Sequence, residues 1–339
     1  MCKKRGIEVV GVTKGVSGMS QIAKAMLEEG VSCLADARIR NIEKMKKAGI
    51  ESPIMLLRLP RISYVGSIVR NTDISLNSEP SAVRSLAQES RRTGKTHGII
   101  LMVDVGDLRE GFMYDQSMSG LQSIFCLKNI DLRGIGTNVG CFGGVLPTEE
   151  NMGFLVETAR KIQKQFSVTF PVISIGGTSC LSLVKSGKMP PEVNQIRIGE
   201  GILLGRDSSR NTILENTYQD TFTLAAEIVE IKKKPSLPIG PLGRDAFGNV
   251  PSFNNYGVRR RALIALGKQD IRLSGLIPVD KGIRLLGGSS DYIVLDISDS
   301  GQDYAVGDEV YFHLLYPSLL SATTTTFVNY FFREDSYGL

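Results

Sequence analysis

The chain has 339 residues, a length that is typical of about two domains. Hydrophobic residues make up 42% of the chain and charged residues 22%, which excludes a largely disordered protein. The net charge of +5 comes from 40 basic and 35 acidic residues. This excess is too small and too mixed in sign to indicate a nucleic-acid-binding surface.

The sequence contains no membrane or export signal. No apolar run reaches the length of about 18 residues that a transmembrane helix needs. The N-terminal segment begins with basic residues, but its short apolar run is interrupted by Lys14, unlike a signal peptide. We therefore expect a cytoplasmic protein that has neither a membrane nor a nucleic acid as a partner.

The cysteines and histidines exclude several kinds of site. The five cysteines are widely spaced and form no C-x-x-C pair, so neither a zinc ribbon nor a disulfide framework is expected. The chain has only two histidines, His97 and His313, and no G-x-S-x-G motif for a serine nucleophile. We expect no metal, and a difficult reaction would then require an organic cofactor.

Residues 1–210 alternate between short apolar runs and helical patterns. The runs cover residues 7–14, 33–38, 53–58, 74–78, 98–106, 132–139, 171–177 and 195–201. This alternation predicts parallel strands with helices outside them, and eight units fit a (β/α)8 TIM barrel. An open doubly wound sheet is the alternative, but VTKGVSGMS after the first run is not the G-x-G-x-x-G turn of that fold.

The pattern changes after Gly205. A polar stretch at 206–220 is followed by candidate strands and almost no helical periodicity. The candidate strands cover 222–232, 260–267, 283–288, 291–298 and 309–316. We predict a C-terminal all-β domain over residues 221–335.

Polar or cationic residues follow each predicted barrel strand. They are Lys14, Arg38, Arg58, Asn77, Arg109, Asn138, Thr178 and Arg197. The carboxyl ends of barrel strands face one shared mouth. A single such residue is most often an ordinary solvated loop residue, but the eight together predict a basic pocket for a phosphate- or carboxylate-bearing ligand.

Two features of this pocket suggest its chemistry. Lys14, crowded by other cations and partly desolvated, would be a free amine at neutral pH, which reaction with an aldehyde requires. The Gly176-Gly177-Thr178-Ser179 and Gly199-Glu200-Gly201 turns precede helical patterns and expose backbone N–H groups to a phosphate. Barrels often bind phosphate after strands seven and eight.

The motifs VGVTKG, VDVGDLREG, GIGTNVGCFGG, SIGGTS and VNQIRIGEGILLG resemble the alanine racemase-like family of pyridoxal-phosphate (PLP) enzymes, fold type III. The similarity is greatest to its alanine/ornithine racemase branch, and KKKPSLPIGPLGRDAFGN, RRRALIALGKQDI and LGGSSDYIVLDISD extend it over nearly the whole chain.

The resemblance implies a set of PLP-binding residues. Lys14 matches the lysine to which the cofactor is covalently attached, and Arg197 matches the arginine that faces the pyridine nitrogen. The phosphate-binding positions are matched by Thr178, Ser179, Gly199 and Glu200. Because an arginine does not give up its proton, the ring nitrogen stays unprotonated, which limits side reactions such as transamination.

The resemblance also implies catalytic residues. Lys14, once displaced by substrate, can move a proton on one face of the substrate. Arg109 matches an arginine near the substrate carboxylate, and Asn138 occupies the position of a histidine that lies along the cofactor ring in alanine racemases.

The sequence departs from the family at the group that serves the second face. Alanine racemases use a tyrosine from the partner subunit's β domain, whereas the matching turn here, 267–270, has no tyrosine. The alternatives are Tyr256, Tyr292, Tyr316, Cys141 or a group near Ser289-Ser290-Asp291. Asp291 is also a candidate for binding the distal ammonium of a dibasic substrate.

A second departure lies at the N-terminus. Family members have an additional strand and helix before the lysine-bearing strand, whereas 13 residues precede Lys14 here. We expect a barrel shortened by roughly 25 residues, since such connecting units run to about 30.

The sequence therefore predicts a PLP-dependent racemase of a small or basic amino acid, with ornithine first and alanine or lysine as alternatives. If the second group comes from a neighbouring β domain, the enzyme is a homodimer with shared active sites. The other interpretations are a non-catalytic PLP-binding protein and a PLP-dependent lyase, an aldolase or decarboxylase, on the same barrel.

Overall fold

The computed structural model describes residues 1–113 and 118–333. The chain divides into two compact units, Met1–Thr217 and Tyr218–Leu339. The last two positions of the predicted C-terminal domain, 334 and 335, lie outside the described residues.

The N-terminal unit contains a closed barrel of eight parallel strands in chain order. The strands are β1 (Glu8–Val12), β2 (Cys33–Asp36), β3 (Ile54–Leu56), β4 (Ile74–Asn77), β5 (His97–Met102), β6 (Ile130–Asn138), β7 (Val172–Gly176) and β8 (Gln195–Ile198). Parallel pairing of β1 with β8, from Glu8–Gln195 to Gly11–Ile198, closes the barrel. The predicted TIM barrel and all eight of its strands are confirmed.

Helices follow the strands. They are α1 (Ser20–Glu28), α2 (Ile39–Lys47), α3 (Val65–Asn71), α4 (Pro80–Arg92), α5 (Met118–Phe125), α6 (Glu149–Phe166), α7 (Leu181–Ser186) and α8 (Glu200–Leu204). The longest, α6, begins at a capping box in which the Thr148 and Asn151 side chains each accept the other's backbone N–H. Helix α4 has Pro80 in its first turn, where a missing N–H costs nothing.

Apolar side chains fill two layers of this unit. One layer lies inside the barrel and includes Val10, Val12, Met55 and Leu76. The other lies between the strands and the helices and is built from residues such as Ile99, Ile135, Leu155 and Ile175. Alternate residues of the strands supply the two layers, as the period of two in a strand requires.

A short antiparallel pair of strands and several 3-10 turns of three or four residues complete the N-terminal unit. Strands β9 (Arg206–Asp207) and β10 (Thr212–Ile213) pair antiparallel after α8. Short 3-10 turns occupy Cys2–Arg5, Lys14–Val16, Ile62–Tyr64 and Thr178–Cys180. Two of these turns directly follow barrel strands β1 and β7 and carry Lys14 and Thr178.

The C-terminal unit is built on a six-stranded antiparallel sheet with the order β13-β16-β11-β12-β15-β14. The strands are β11 (Thr223–Pro235), β12 (Val258–Ile264), β13 (Leu276–Pro278), β14 (Arg284–Gly288), β15 (Ile293–Asp296) and β16 (Glu309–Leu314). Strand β11 pairs with β16 through its first half and with β12 through its second half. One strand thus joins both halves of the sheet.

Two elements of this unit were not predicted. Strand β13 has only three residues and follows the 3-10 turn Leu273–Gly275. It is too short to show an alternation of polar and apolar residues. The predicted strand 309–316 ends early, because helix α9 (Tyr316–Ala322) begins there with Pro317 in its first turn. Among the described residues, no helix is long and apolar enough to cross a membrane.

Gly134 in β6 provides a test of the barrel's packing. A Cβ at this position would overlap the carbonyl oxygen of Val172 in the neighbouring strand β7. We expect Gly134→Ala to lower the free energy of unfolding by about 3 kcal/mol, because strand backbones cannot move apart without breaking their ladder. Thermal denaturation followed by circular dichroism measures this loss.

Gly153 in α6 is the matched control, because a Cβ there meets no atom within 4 Å. Gly153→Ala should raise stability by about 0.5–1 kcal/mol, the usual gain of alanine over glycine in a helix. Equal changes in the free energy of unfolding for the two substitutions would contradict the close contact between Gly134 in β6 and Val172 in β7.

Candidate functional site

Lys14 lies at the carboxyl end of β1, where it begins the 3-10 turn Lys14–Val16. Its side chain is half-buried. Within residues 1–113 and 118–333, no residue forms a hydrogen bond or an ion pair with its amine. The amine is therefore available to a ligand in the barrel mouth.

The turn that carries Lys14 is tied to the neighbouring strand by Asp36. The Thr13 hydroxyl donates to the Asp36 carboxylate over 2.9 Å, and the Arg38 N–H and Asn41 amide donate to its other oxygen over 2.8 and 3.0 Å. Burial raises the pKa of Asp36, and these hydrogen bonds oppose the increase. Asp36 thus fixes the backbone on the N-terminal side of Lys14.

The two glycine turns lie against each other after β7 and β8. The Gly201 N–H donates to Thr178 Oγ1 over 2.9 Å, and a Cβ at Gly201 would lie 2.9 Å from Thr178 Cγ2. A Cβ at Gly199 would lie 3.2 Å from Val12 Cβ in strand β1. Small residues are therefore required for the turns to approach this closely, and their backbone N–H groups form the kind of surface that binds phosphate.

The side chains around these turns are not equivalent. Thr178 and Ser179 are both buried. The Glu200 carboxylate accepts hydrogen bonds from the hydroxyl and the N–H of Ser208. Glu200 can therefore offer a phosphate only its backbone N–H at the start of α8.

Arg197 is the buried cation of the site. Its guanidinium is 3% exposed and donates to the Thr137 carbonyl over 2.6 Å and to the hydroxyl of Ser174. Burial lowers the pKa of Arg197 to about 10, and the neighbouring Cys180 and Glu110 oppose the decrease. Arg197 consequently stays protonated at neutral pH and acts only as a hydrogen-bond donor.

Asn138, the last residue of β6, contacts Arg197 directly. Its Oδ1 accepts a hydrogen bond of 2.8 Å from Arg197 Nη2. A Cβ at Gly176 would overlap Asn138 Oδ1 and lie 2.7 Å from Arg197 Nη2. The glycine at the end of β7 therefore allows these two side chains to meet.

Sequence analysis did not identify Glu110 as a site residue. Its carboxylate accepts hydrogen bonds from Nε and Nη2 of Arg109 and from Nδ2 of Asn138. The remaining terminal nitrogen of Arg109 donates to Cys141 Sγ. The motif DLREG contained a signal, since it places a carboxylate directly beside a predicted active-site arginine and before a glycine. In the structure that glycine, Gly111, has a φ of +129°.

Two buried aspartates shape the loops that carry these residues. Asp104 accepts backbone hydrogen bonds from Gly106, Leu108 and Arg109 over 2.8, 3.2 and 3.1 Å. Asp107 accepts from the N–H groups in the loop after β6, including that of Phe142 over 2.9 Å. Asp107 thereby joins the loop after β5, which carries Arg109, to the loop after β6, which carries Cys141.

The other predicted strand-end residues do not join this cluster. The Asn77 amide donates to the backbone and hydroxyl of Ser75 over 2.8 and 3.0 Å, within its own strand. Arg38 is the N-cap residue of α2 but makes no side-chain cap, and Arg58 is exposed after β3. The side chains that hydrogen bonds join at the barrel mouth come from β6, β8 and the loop after β5, and the wider basic pocket stays a prediction.

The 267–270 turn and the Ser289–Asp291 loop of the C-terminal unit adjoin each other, whereas Tyr256 precedes β12 and Tyr316 begins α9. A Cβ at Gly267 would overlap the backbone of Ser290, and Gln269 Nε2 donates to Asp291 Oδ1 over 3.0 Å. Tyr292 and Tyr256 are both about half exposed, and Arg284 lies over the Tyr256 ring at 4.9 Å. The predicted 267–270 turn and the Ser289–Asp291 loop thus form one continuous surface within this unit.

The chain is similar to known proteins over nearly all of its length. Residues 1–207 match the protein family described as "Alanine racemase, N-terminal domain". A lysine racemase of Thermotoga maritima is 43% identical over 328 residues, 97% of this chain and 92% of that protein. An ornithine racemase of Acetoanaerobium sticklandii is 37% identical over 329 residues, 97% of this chain and 93% of that protein.

Solved structures with the same fold have lower sequence identity. An alanine racemase from Streptomyces lavendulae has a TM-score of 0.70 and 16% identity, covering 95% of this chain and 90% of that one. A D-threonine aldolase from Filomicrobium marinum has a TM-score of 0.72 and 12% identity, covering 95% and 83%. At these identities the likeness demonstrates the fold alone.

Asp104 provides a test of how the Arg109 loop is held. Asp104→Ala removes the acceptor of three backbone hydrogen bonds and leaves their N–H groups unpaired. We expect a loss of about 2 kcal/mol or more in stability and faster amide hydrogen exchange at Gly106, Leu108 and Arg109.

Asp104→Asn is the matched variant, because it keeps Oδ1 as an acceptor and replaces only the Oδ2 that faces the Arg109 N–H. Exchange should then increase mainly at Arg109. Unchanged exchange at all three amides in Asp104→Ala would contradict this account of the loop.

Proposed function

Because this chain belongs to the alanine racemase family, we propose that it is a PLP-dependent racemase of a basic amino acid, ornithine or lysine. The observation that supports the proposal is that Lys14, the two glycine turns and the Arg197–Asn138 pair all lie at or near the carboxyl ends of strands of one closed parallel barrel. The two relatives at 43% and 37% identity bear the names of racemases of basic amino acids.

The donor groups of the site fit PLP. The backbone N–H groups beside Gly199 and Thr178 suit its phosphate, with Thr178 and Ser179 supplying hydroxyls and Glu200 its N–H. The Arg197 guanidinium, which donates and does not accept, suits an unprotonated ring nitrogen. A Cβ at Gly199 would press against Val12, so only a small residue lets this turn pack on β1 with its backbone N–H groups accessible to a phosphate.

Lys14 would have two roles. Its free amine would hold the cofactor aldehyde covalently, and after displacement by substrate the same amine would remove or return the Cα proton on one face. When bound, PLP withdraws electrons from the substrate and so acidifies the Cα proton. Arg197 would limit this withdrawal, because a guanidinium that only donates would leave a ring nitrogen held by it without a proton.

Arg109 and Asn138 would act beside Lys14. We assign Arg109 to the substrate carboxylate, to which Nη1, the terminal nitrogen not bound to Glu110, would donate a charge-assisted hydrogen bond. Asn138 would lie along the cofactor ring and keep its position through the hydrogen bond from Arg197. Asp291 remains our candidate for the distal ammonium of ornithine or lysine.

The cofactor assignment is tested by absorbance and by chiral chromatography. Purified protein should show an absorption band of lysine-bound PLP that borohydride removes, and it should racemise L-ornithine or L-lysine faster than L-alanine or L-serine. Lys14→Ala should lose the band and at least about 1000-fold in racemisation rate, because no other amine replaces the lysine.

Lys14→Arg serves as the control that keeps the positive charge but has no aldehyde-reactive amine. A band that persists in Lys14→Ala would remove Lys14 from its assigned role. A band without racemisation of any amino acid would favour a non-catalytic PLP-binding protein, and cleavage products without racemisation would favour a lyase.

We further propose that the enzyme is a homodimer in which the second proton-transferring group comes from the partner's C-terminal unit, near the Ser289–Asp291 loop. Racemisation needs groups on opposite faces of the substrate, and Lys14 serves one of them. Size-exclusion chromatography with activity measured across the elution profile tests this: activity should follow the dimer, and full activity in a monomer peak would contradict it.

A further inference from the structure

The carboxylate of Glu110 lies between the two arginines of the site. It accepts hydrogen bonds from Nε and Nη2 of Arg109 and from Nδ2 of Asn138. Asn138 Oδ1 in turn accepts a hydrogen bond from Arg197. Four side chains from β5, β6 and β8 or the loops after them are thus joined in one unbroken series of hydrogen bonds.

The chemistry of the groups fixes the direction of each bond. Guanidinium groups only donate, and an ionised carboxylate only accepts. Asn138 must therefore present Nδ2 to Glu110 and Oδ1 to Arg197, since the opposite orientation would place an NH2 against a guanidinium. Glu110 and Arg197 together therefore determine how the Asn138 amide is turned.

Glu110 also determines how Arg109 is turned. The two-point contact uses Nε and Nη2, so Nη1 is left to extend toward Cys141. The Glu110 side chain is 15% exposed and that of Arg109 is 36% exposed. A charge-assisted, two-point pair at this depth restricts a side chain far more than a solvated ion pair does.

The backbone around Glu110 adds to this restriction. Asp104 holds the N–H of Arg109, and Gly111 packs so closely on Asp104 that a Cβ there would overlap its N–H. These contacts restrict the backbone on both sides of Glu110 and so fix its position.

We propose that Glu110 is a positioning residue that aims the Arg109 guanidinium and the Asn138 amide for the substrate and the cofactor. It acts through these two side chains and contacts neither ligand itself. The proposal rests on the proposed racemase function for its kinetic consequence, but the placement of Arg109 can be tested without any activity.

The first experiment uses Cys141 as a reporter of Arg109. The rate of alkylation of Cys141 by iodoacetamide is measured on the full-length protein by peptide mass spectrometry, with the exposed Cys126 as the internal control. Arg109→Ala gives the rate without a neighbouring guanidinium, which influences thiol reactivity. Glu110→Gln should move the Cys141 rate from the wild-type value toward the Arg109→Ala value and leave the Cys126 rate unchanged.

Glu110→Asp is the second variant. It keeps the charge on a shorter side chain, so its Cys141 rate should lie between those of wild type and Glu110→Gln. A wild-type rate in Glu110→Gln would overturn the proposal if Arg109→Ala differs from wild type. An Arg109→Ala rate equal to wild type would overturn it as well, because Arg109 would then not be held against Cys141.

The second experiment separates positioning from a general structural effect. Glu110→Gln should raise KM for ornithine or lysine about 10-fold while kcat changes by less than about 3-fold, because a misdirected Arg109 weakens carboxylate binding. Glu110→Asp should recover part of the KM. Glu192→Gln, which removes the charge from another Arg–Glu pair outside this network, should leave both constants unchanged.

The outcomes distinguish the two proposals. If no amino acid is racemised but the Cys141 rates shift as expected, the proposed function fails and the placement by Glu110 stands. If racemisation occurs and Glu110→Gln leaves both KM and the Cys141 rate at wild-type values, the positioning role fails and the racemase assignment stands.

Discussion

The arrangement of the barrel mouth depends on a guanidinium that is almost completely removed from water. Arg197 is 3% exposed, and burial lowers its pKa to about 10. A buried charge is tolerated only when it is fully hydrogen-bonded. The Thr137 carbonyl, the Ser174 hydroxyl and the Asn138 amide oxygen accept hydrogen bonds from three of its five N–H groups, which explains why polar groups of β6 and β7 surround it.

The hydrogen bonds that begin at Arg197 continue to other side chains around the barrel mouth. Asn138 can reach Arg197 only because Gly176 has no side chain. Its Nδ2 donates to Glu110, and Glu110 neutralises the partly exposed Arg109. Asp104 and Asp107 then fix the loops through backbone N–H groups. Rigidity at the mouth thus comes from carboxylates and amides that accept or exchange hydrogen bonds with the cations.

The fold and the chemistry of this chain rest on different observations. The same barrel and C-terminal sheet occur in an alanine racemase and in a D-threonine aldolase at similar TM-scores, so the architecture does not select the reaction. The family inferred from sequence motifs is confirmed by the match over residues 1–207 and by the full-length relatives. In the proposed function, Arg197 would be a permanent donor at the ring nitrogen of PLP, which would favour racemisation over reactions needing a stronger electron sink.

The sequence by itself determined the barrel, because eight apolar runs separated by helical patterns leave few alternatives, and it identified Lys14, Asn138, Thr178 and Arg197 at strand ends. It did not determine β13, which is too short for a pattern, or the partners of polar residues. Glu110 accepts a hydrogen bond from Asn138, 28 residues away, and Asp107 accepts one from the Phe142 N–H, 35 residues away. Only the tertiary structure decided these pairings, because hydrogen bonds between loops depend on the closure of the barrel and not on any local periodicity.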